Sequence, residues 1–355
     1  MRLGRATLIA ALRQTQLKMN ILSRDRQSLL ALIDRFPRET VVVLGDLVAD
    51  EFIHGEISRI SREAPVLILK QRGKQIVPGG GANAANNLVD LEARLRVVGI
   101  VGEDAAGEAL LSYFENKGVS TRWIMRLRGY TTPTKSRVLG GLGHGHMQQI
   151  VRIDREPERP LDAAVRRKLS GHAVFSKRPG SAILISDYGY GSTSPAEVAF
   201  LRQHLGDAHV PLTVDSRYNL RGYHNVTAST PNEPEMEAAF GERIGDNIRL
   251  LHRLASRLLR ASRLQALLVT RGREGMALYE SGSKPRVLPI FGSDQIADVT
   301  GAGDTVIAVF TLALGAGGSF LHAASLANCA GGLVVMKSGT ATVTRRELAE
   351  AIRNA

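Results

Sequence analysis

The segment Asp298-Val299-Thr300-Gly301-Ala302-Gly303-Asp304 sets two glycines and a carboxylate directly before the apolar run Thr305–Leu314. A glycine turn that opens a helix gathers unpaired N–H donors and the positive end of the helix dipole at one point, which suits a phosphate. Asp304 adds a negative charge at that point. Beside a phosphate such a charge is costly unless it takes a proton or holds a metal. From these residues alone the segment reads either as the base of a phosphoryl-transfer site or as a helix N-terminus with an acidic cap.

Other polar residues stand where a parallel sheet would collect them. Asp46 and Asp50 follow the run Val41–Leu44, Asp187 and Asp215 end later apolar runs, and Asn232 and Glu235 follow Thr230-Pro231. Carboxylates there suit sugar hydroxyls or water-mediated Mg²⁺, although each taken singly is also an ordinary turn residue or cap. Pro78-Gly79-Gly80-Gly81-Ala82-Asn83 opens a second helix. It lacks the lysine of a P-loop. Asn83 and Asn87, one turn apart, could offer paired amides to a polyol, or simply cap a glycine turn. Gly45-Asp46-Leu47-Val48-Ala49-Asp50 has no second or third glycine to admit a pyrophosphate, which excludes a dinucleotide fingerprint. His144 and His146 have no ligand pattern around them and read as surface residues.

The elements needed to position these residues alternate along the chain. Apolar runs at 41–46, 95–101, 182–187, 212–215 and 266–270 read as buried parallel strands, with helices at 82–91, 105–117, 195–205, 303–314 and 321–336. Strands ending in Asp or Thr and followed by helices predict an α/β, doubly wound, mainly parallel sheet with its ligand at the strands' carboxyl ends. Segments within 54–77 and 134–153 read instead as short extended pairs, predicting a small β-sheet lid. Residues 1–39 form an N-terminal helical extension, and 40–355 one domain carrying the lid.

A chain of 355 residues with a net charge of +12 invites a nucleic-acid or membrane reading. Residues 1–39 carry eight Lys/Arg against three Asp/Glu, and Arg249, Arg253, Arg257, Arg260 and Arg263 share one helical face without interleaved aromatics. A solvated helix face explains these better than nucleic acid, and no stretch is long and apolar enough for a membrane span. Cys329 is the only cysteine, so a disulfide within the chain and a cysteine metal site are excluded, in keeping with a cytoplasmic protein.

Taken in order, the Gly-Asp-x-x-x-Asp after the first strand, the Gly-Gly-x-Ala-Asn turn, Asn232-x-x-Glu235 and Asp298-x-Thr-Gly-Ala-Gly-Asp304 resemble the ribokinase-like (PfkB) family of carbohydrate kinases over about residues 40–353. Ile57–Val66, Ser186-Asp187-Tyr188-Gly189 and Asp304-Thr305-Val306-Ile307 resemble the heptose-7-phosphate kinases within it, enzymes of lipopolysaccharide-precursor synthesis. The resemblance implies ATP-dependent phosphorylation of a sugar phosphate, D-glycero-D-manno-heptose 7-phosphate at its anomeric hydroxyl, with Asp304 as general base. It implies an anion hole from the amides of Gly301, Ala302 and Gly303, and sugar contacts from Asp50, Gly80, Asn83 and Asn87. Asn232 and Glu235 would organise Mg²⁺ and the triphosphate. Thr270, Gly272 and Gly275 would line the nucleotide channel, with Asn328 and Gly331 near the adenine. Asp298 and Thr300 resemble the family's monovalent-cation loop, often filled by K⁺, and family habit implies a homodimer. Asp215-Ser216-Arg217-Tyr218 departs from the usual Asp-Pro-Lys-Gly, keeping the charge but changing its shape and reach. The sequence, ending at Ala355, shows no nucleotidyltransferase segment. Arg59 and Arg152 are candidates for a substrate phosphate, set aside as exposed lid arginines.

Overall fold

A computed structural model describes residues 24–141, 147–174, 182–206, 209–292, 298–337 and 339–355. The first part of the expected helical extension, and the glycine-rich stretch with His144 and His146, lie outside the described residues. The strands, in chain order, are β1 (Thr40–Gly45), β2 (Leu47–Ile60), β3 (Leu67–Gly80), β4 (Arg94–Gly102), β5 (Ile124–Leu127), β6 (Thr134–Gly141), β7 (Gln148–Arg155), β8 (Ala182–Asp187), β9 (Leu212–Ser216), β10 (Ala228–Ser229), β11 (Ala266–Thr270), β12 (Met276–Glu280) and β13 (Arg286–Leu288). The helices are α1 (Arg26–Arg35), α2 (Gly81–Asp90), α3 (Ala105–Asn116), α4 (Ala163–Val174), α5 (Pro195–Leu205), α6 (Glu233–Phe240), α7 (Ile248–Ser262), α8 (Ala302–Gly315), α9 (Phe320–Val334) and α10 (Arg345–Arg353).

Nine strands form one sheet in the order β13-β12-β11-β10-β9-β8-β1-β4-β5, parallel from β11 to β5 and antiparallel at the β12 and β13 edge. Both faces are covered, which is why β1 reads as an unbroken apolar run. Val41 and Val43 pack into one core with α1, α2, α8 and α9, and Val42 and Leu44 into another with α4, α5 and α7. Helix α8 is buried from Asp304 to Gly315. Thr311 anchors it to the sheet, its hydroxyl 2.5 Å from that of Thr213 on β9 and donating to Ile307 O at 2.7 Å. The strand order reverses between β8-β1 and β1-β4, so the carboxyl ends of β1 and β8 flank the crevice where such sheets bind ligands.

A second sheet of four strands, β3-β2-β6-β7, projects from that end. Strand β2 begins at Leu47, with only Asp46 between it and the end of β1, so this sheet starts well before residue 54 and already contains Asp50. β2 and β3 pair antiparallel, β6 and β7 likewise, and the parallel β2–β6 ladder joins the two hairpins. Among the described residues no helix is long and apolar enough to cross a membrane.

Gly45 closes β1 against β8. A Cβ there would overlap the carbonyl oxygen of Ser186, which accepts from Asp46 N at 3.0 Å. Gly45→Ala is expected to prise these strand ends apart and cost about 1–3 kcal/mol, seen as a lower urea midpoint with an unchanged slope.

Candidate active site

Gly301 stands at the N-cap of α8 with φ +79°, a left-handed conformation that favours glycine. A Cβ on it would lie 2.5 Å from Asn83 Nδ2, so the missing side chain also lets α2 close on the turn. Asp304, on the first turn of α8, is 3% exposed. Its Oδ2 accepts from Asn83 Nδ2 at 2.9 Å and its Oδ1 from the Tyr188 hydroxyl at 2.8 Å. Burial pushes its pKa up to about 7; the two donated hydrogen bonds and Lys135 oppose that rise, and the Asp50 charge adds to it. A carboxylate so placed exchanges a proton near neutrality.

The amides flanking Asp304 differ from the expected cradle in one respect. Ala302 N–H donates to Val299 O at 3.2 Å, turned back into its own turn. Those of Gly303 and Asp304 donate to no described residue, as the geometry of a helix start requires, and remain for an anion.

Asn83 and Asn87 are brought beside Asp304, with their side chains engaged by neighbouring residues. Both are completely buried. Asn87 Nδ2 donates to Asn83 O at 2.9 Å and Thr305 donates its hydroxyl proton to Asn87 Oδ1 at 2.9 Å. Their amides are thus consumed in aiming Asn83 at Asp304, a burial that spacing alone does not reveal. Asp50 and Gly80 lie on the projecting sheet. Asp50 accepts from Arg137 Nη1 at 2.6 Å, and a Cβ on Gly79 would sit 2.6 Å from Asp50 Oδ2. Gly80 (φ +52°) leaves room for the Tyr188 ring. Tyr188, Lys135 and Arg137 were not singled out from the sequence. Alternation of Lys135 and Arg137 on one face of β6 was the available signal.

Asp304, Gly301 and Gly303 open into a cleft of about 470 Å³ also lined by Asp215, Arg217, Asn232, Glu235 and Thr270. Asn232 and Glu235 form a capping box on α6: Glu235 N donates to Asn232 Oδ1 at 2.8 Å and Asn232 N to Glu235 Oε2 at 2.9 Å. The Asp215 carboxylate has no hydrogen bond or ion pair with a described residue. Burial raises its pKa well above the usual carboxylate range, with Glu235, Asp304 and Asp187 adding to the shift; burial also raises that of Glu235. Two carboxylates that resist ionising side by side fit a divalent cation between them and phosphate oxygens.

Gly272, Gly275, Asn328 and Gly331 do not line this cleft. Asn328 donates to Pro289 O at 2.8 Å, and Gly331 packs against Val306. Both oxygens of Asp298 accept backbone amides, from Thr300 at 2.9 Å and Gly339 at 3.1 Å, stapling the two loops. Asp46 is structural, its carboxylate accepting from the amides of Tyr188, Tyr190 and Ser192 while burial lifts its pKa to about 6. Asp187 likewise accepts from Ser216 and Tyr223.

A family model described as pfkB family carbohydrate kinase matches residues 38–346. The chain belongs to this family. As a pfkB-family member it is similar to the bifunctional protein HldE of Pelobacter propionicus, with 37% identity over 329 residues, 92% of this chain and 66% of that protein. Likeness to HldE of Geobacter metallireducens reaches 39% over 328 residues, 91% of this chain and 65% of that protein. The chain therefore spans just under two thirds of the length of these relatives. Among solved structures, ribokinase from Arabidopsis thaliana, complexed with ribose and ATP, aligns with a TM-score of 0.67 at 21% identity, covering 89% of this chain and 98% of that one. Phosphofructokinase-2 from Escherichia coli, in complex with potassium, gives 0.68 at 17% with the same coverages. At these identities the likeness is one of fold, and the fold is ribokinase-like.

In this pfkB-family site the Tyr188 hydroxyl favours the charged form of Asp304. Carboxyl-carbon NMR should find Asp304 titrating near pH 7, and Tyr188→Phe should move that midpoint upward by about one pH unit.

Proposed function

We propose that this carbohydrate kinase transfers the γ-phosphoryl group of ATP to a sugar phosphate, namely D-glycero-D-manno-heptose 7-phosphate at its anomeric hydroxyl. The observation that carries the chemistry is Asp304, buried at an open helix start and held near neutrality by its surroundings. The heptose assignment is supported by the motifs at 57–66 and 186–189 and by the likeness to HldE over 92% of the chain.

In this reading residues 40–355 form the kinase domain, the four-stranded sheet serves as its lid, and the nucleotide lies along the cleft between Arg217 and Thr270. Asp304 takes the proton of the acceptor hydroxyl as that oxygen bonds to the γ-phosphorus. The bond to the bridging β-oxygen breaks, and ADP leaves with its electron pair. Charge on the migrating group meets the amides of Gly303 and Asp304 and the N-terminus of α8. Arg217 supplies the cation that a lysine provides in the usual motif. Mg²⁺ bound at Asp215 and Glu235 would neutralise the triphosphate; both carboxylates line the cleft and Asp215 is otherwise unpaired, so the residues fit it. Exposed Ile60, Val66, Leu67 and Ile153 on the lid support a homodimer.

ADP release measured over a panel of sugar phosphates is expected to single out the heptose 7-phosphate. Turnover with a different sugar alone would reassign the substrate, and none with any sugar would sink the kinase mechanism. Asp304→Asn should lower kcat by about 10²–10⁴. Because only ionised Asp304 accepts the proton, the wild-type rate should fall tenfold per pH unit below an inflection near 7. Glu235→Gln should raise the Mg²⁺ concentration for half-maximal rate about tenfold, with kcat at saturating Mg²⁺ far less affected.

A further inference from the structure

Register places six side chains on the cleft face of the projecting sheet. Asp50, Lys135 and Asp154 form one rung across β2, β6 and β7, and Phe52, Arg137 and Arg152 the next. Positions two apart on a strand share a face, so all six stand together. Their charges do not balance. Arg137 takes Asp50 at 2.6 Å, and Arg152 takes Asp154 through Nε at 2.7 Å. Both carboxylates of the first rung are thereby engaged by the arginines of the second.

Lys135 is left over. It is 8% exposed, and its ammonium makes no hydrogen bond or ion pair with a described residue, resting instead 4.8 Å from the ring centre of Tyr188. Burial depresses its pKa, with Arg217 and Arg152 contributing, while Asp50 and Asp304 hold it up. A buried cation with three unused donors, beside two guanidinium groups, is costly unless an anion completes it. Lys135 does not line the cleft of Asp215, Arg217 and Glu235. It pairs with Asp50, the residue for which the resemblance implies a sugar contact.

Resting on the sugar-kinase reading, we propose that Lys135, flanked by Arg137 and Arg152, receives the phosphate monoester already present on the acceptor sugar and selects phosphorylated over free sugars. A phosphate dianion offers three acceptor oxygens to the ammonium and the guanidinium edges. Tyr188 links this subsite to the base, carrying Lys135 over its ring and donating its hydroxyl to Asp304.

The test compares wild type, Lys135→Met and Lys135→Arg on heptose 7-phosphate and on free heptose, with circular dichroism to verify folding. Lys135→Met is expected to shrink the ratio of kcat/KM for phosphorylated over free sugar by about 10–100-fold, and Lys135→Arg to keep most of it. Equal losses on both sugars would overturn the proposal by assigning Lys135 to the transferred group, and no loss on either would also overturn it. A second measurement needs no turnover. With the nucleotide cradle filled by AMP-PNP and Mg²⁺, calorimetry should show inorganic phosphate binding to wild type and at least about tenfold more weakly to Lys135→Met. Equal binding would refute the subsite. A wild type inactive on heptose yet showing this difference would remove only the heptose assignment.

Discussion

Everything at this site depends on keeping one carboxylate dry without letting it go neutral for good. Asp304 sits where water is excluded, which on its own favours the protonated acid, and two donors hold it at the edge of ionisation. Those donors come from separate parts of the chain, Asn83 from α2 and Tyr188 from the end of β8. Each is braced in turn: Asn83 by Asn87 and Thr305, and the Tyr188 loop by the Asp46 carboxylate that gathers three amides. The close contacts at Gly45, Gly80 and Gly301 exist because this convergence leaves no room for side chains.

Charge is sorted across the cleft. Asp215 and Glu235 bring two carboxylates to the cleft, while Lys135, Arg137 and Arg152 bring three cations to one face of the projecting sheet. The net charge of +12 is therefore not one feature. Part of it is the exposed arginine face of α7, whose other face packs Leu251, Leu254 and Leu258 into the core. That stripe is a solvated surface, while Lys135 and Arg137 are placed in the site.

Central strands were legible because a strand buried on both faces leaves a continuous apolar run, as in 41–44, 182–185 and 266–269. The glycine turn before Asp304 was legible because glycine spacing and helix onset are local. Strands β2 and β3, each 14 residues, were read short, since polar residues on both faces erase the alternation that marks a strand. Roles fixed by burial or register were hidden. The support that Asn87 gives Asn83 shows only once their burial is known, and Lys135 looks ordinary until pairing sets it beside Asp50. Asp46 matched a family motif, yet its carboxylate is occupied with backbone.

The single residue separating β1 from β2 leaves the roof of the crevice without a slack tether. Asp50 and Lys135 ride on that roof, and Tyr188 touches both it and Asp304. Any displacement of the roof against the large sheet would therefore carry Asp50 and Lys135 together relative to Asp304, because the two residues pair across β2 and β6.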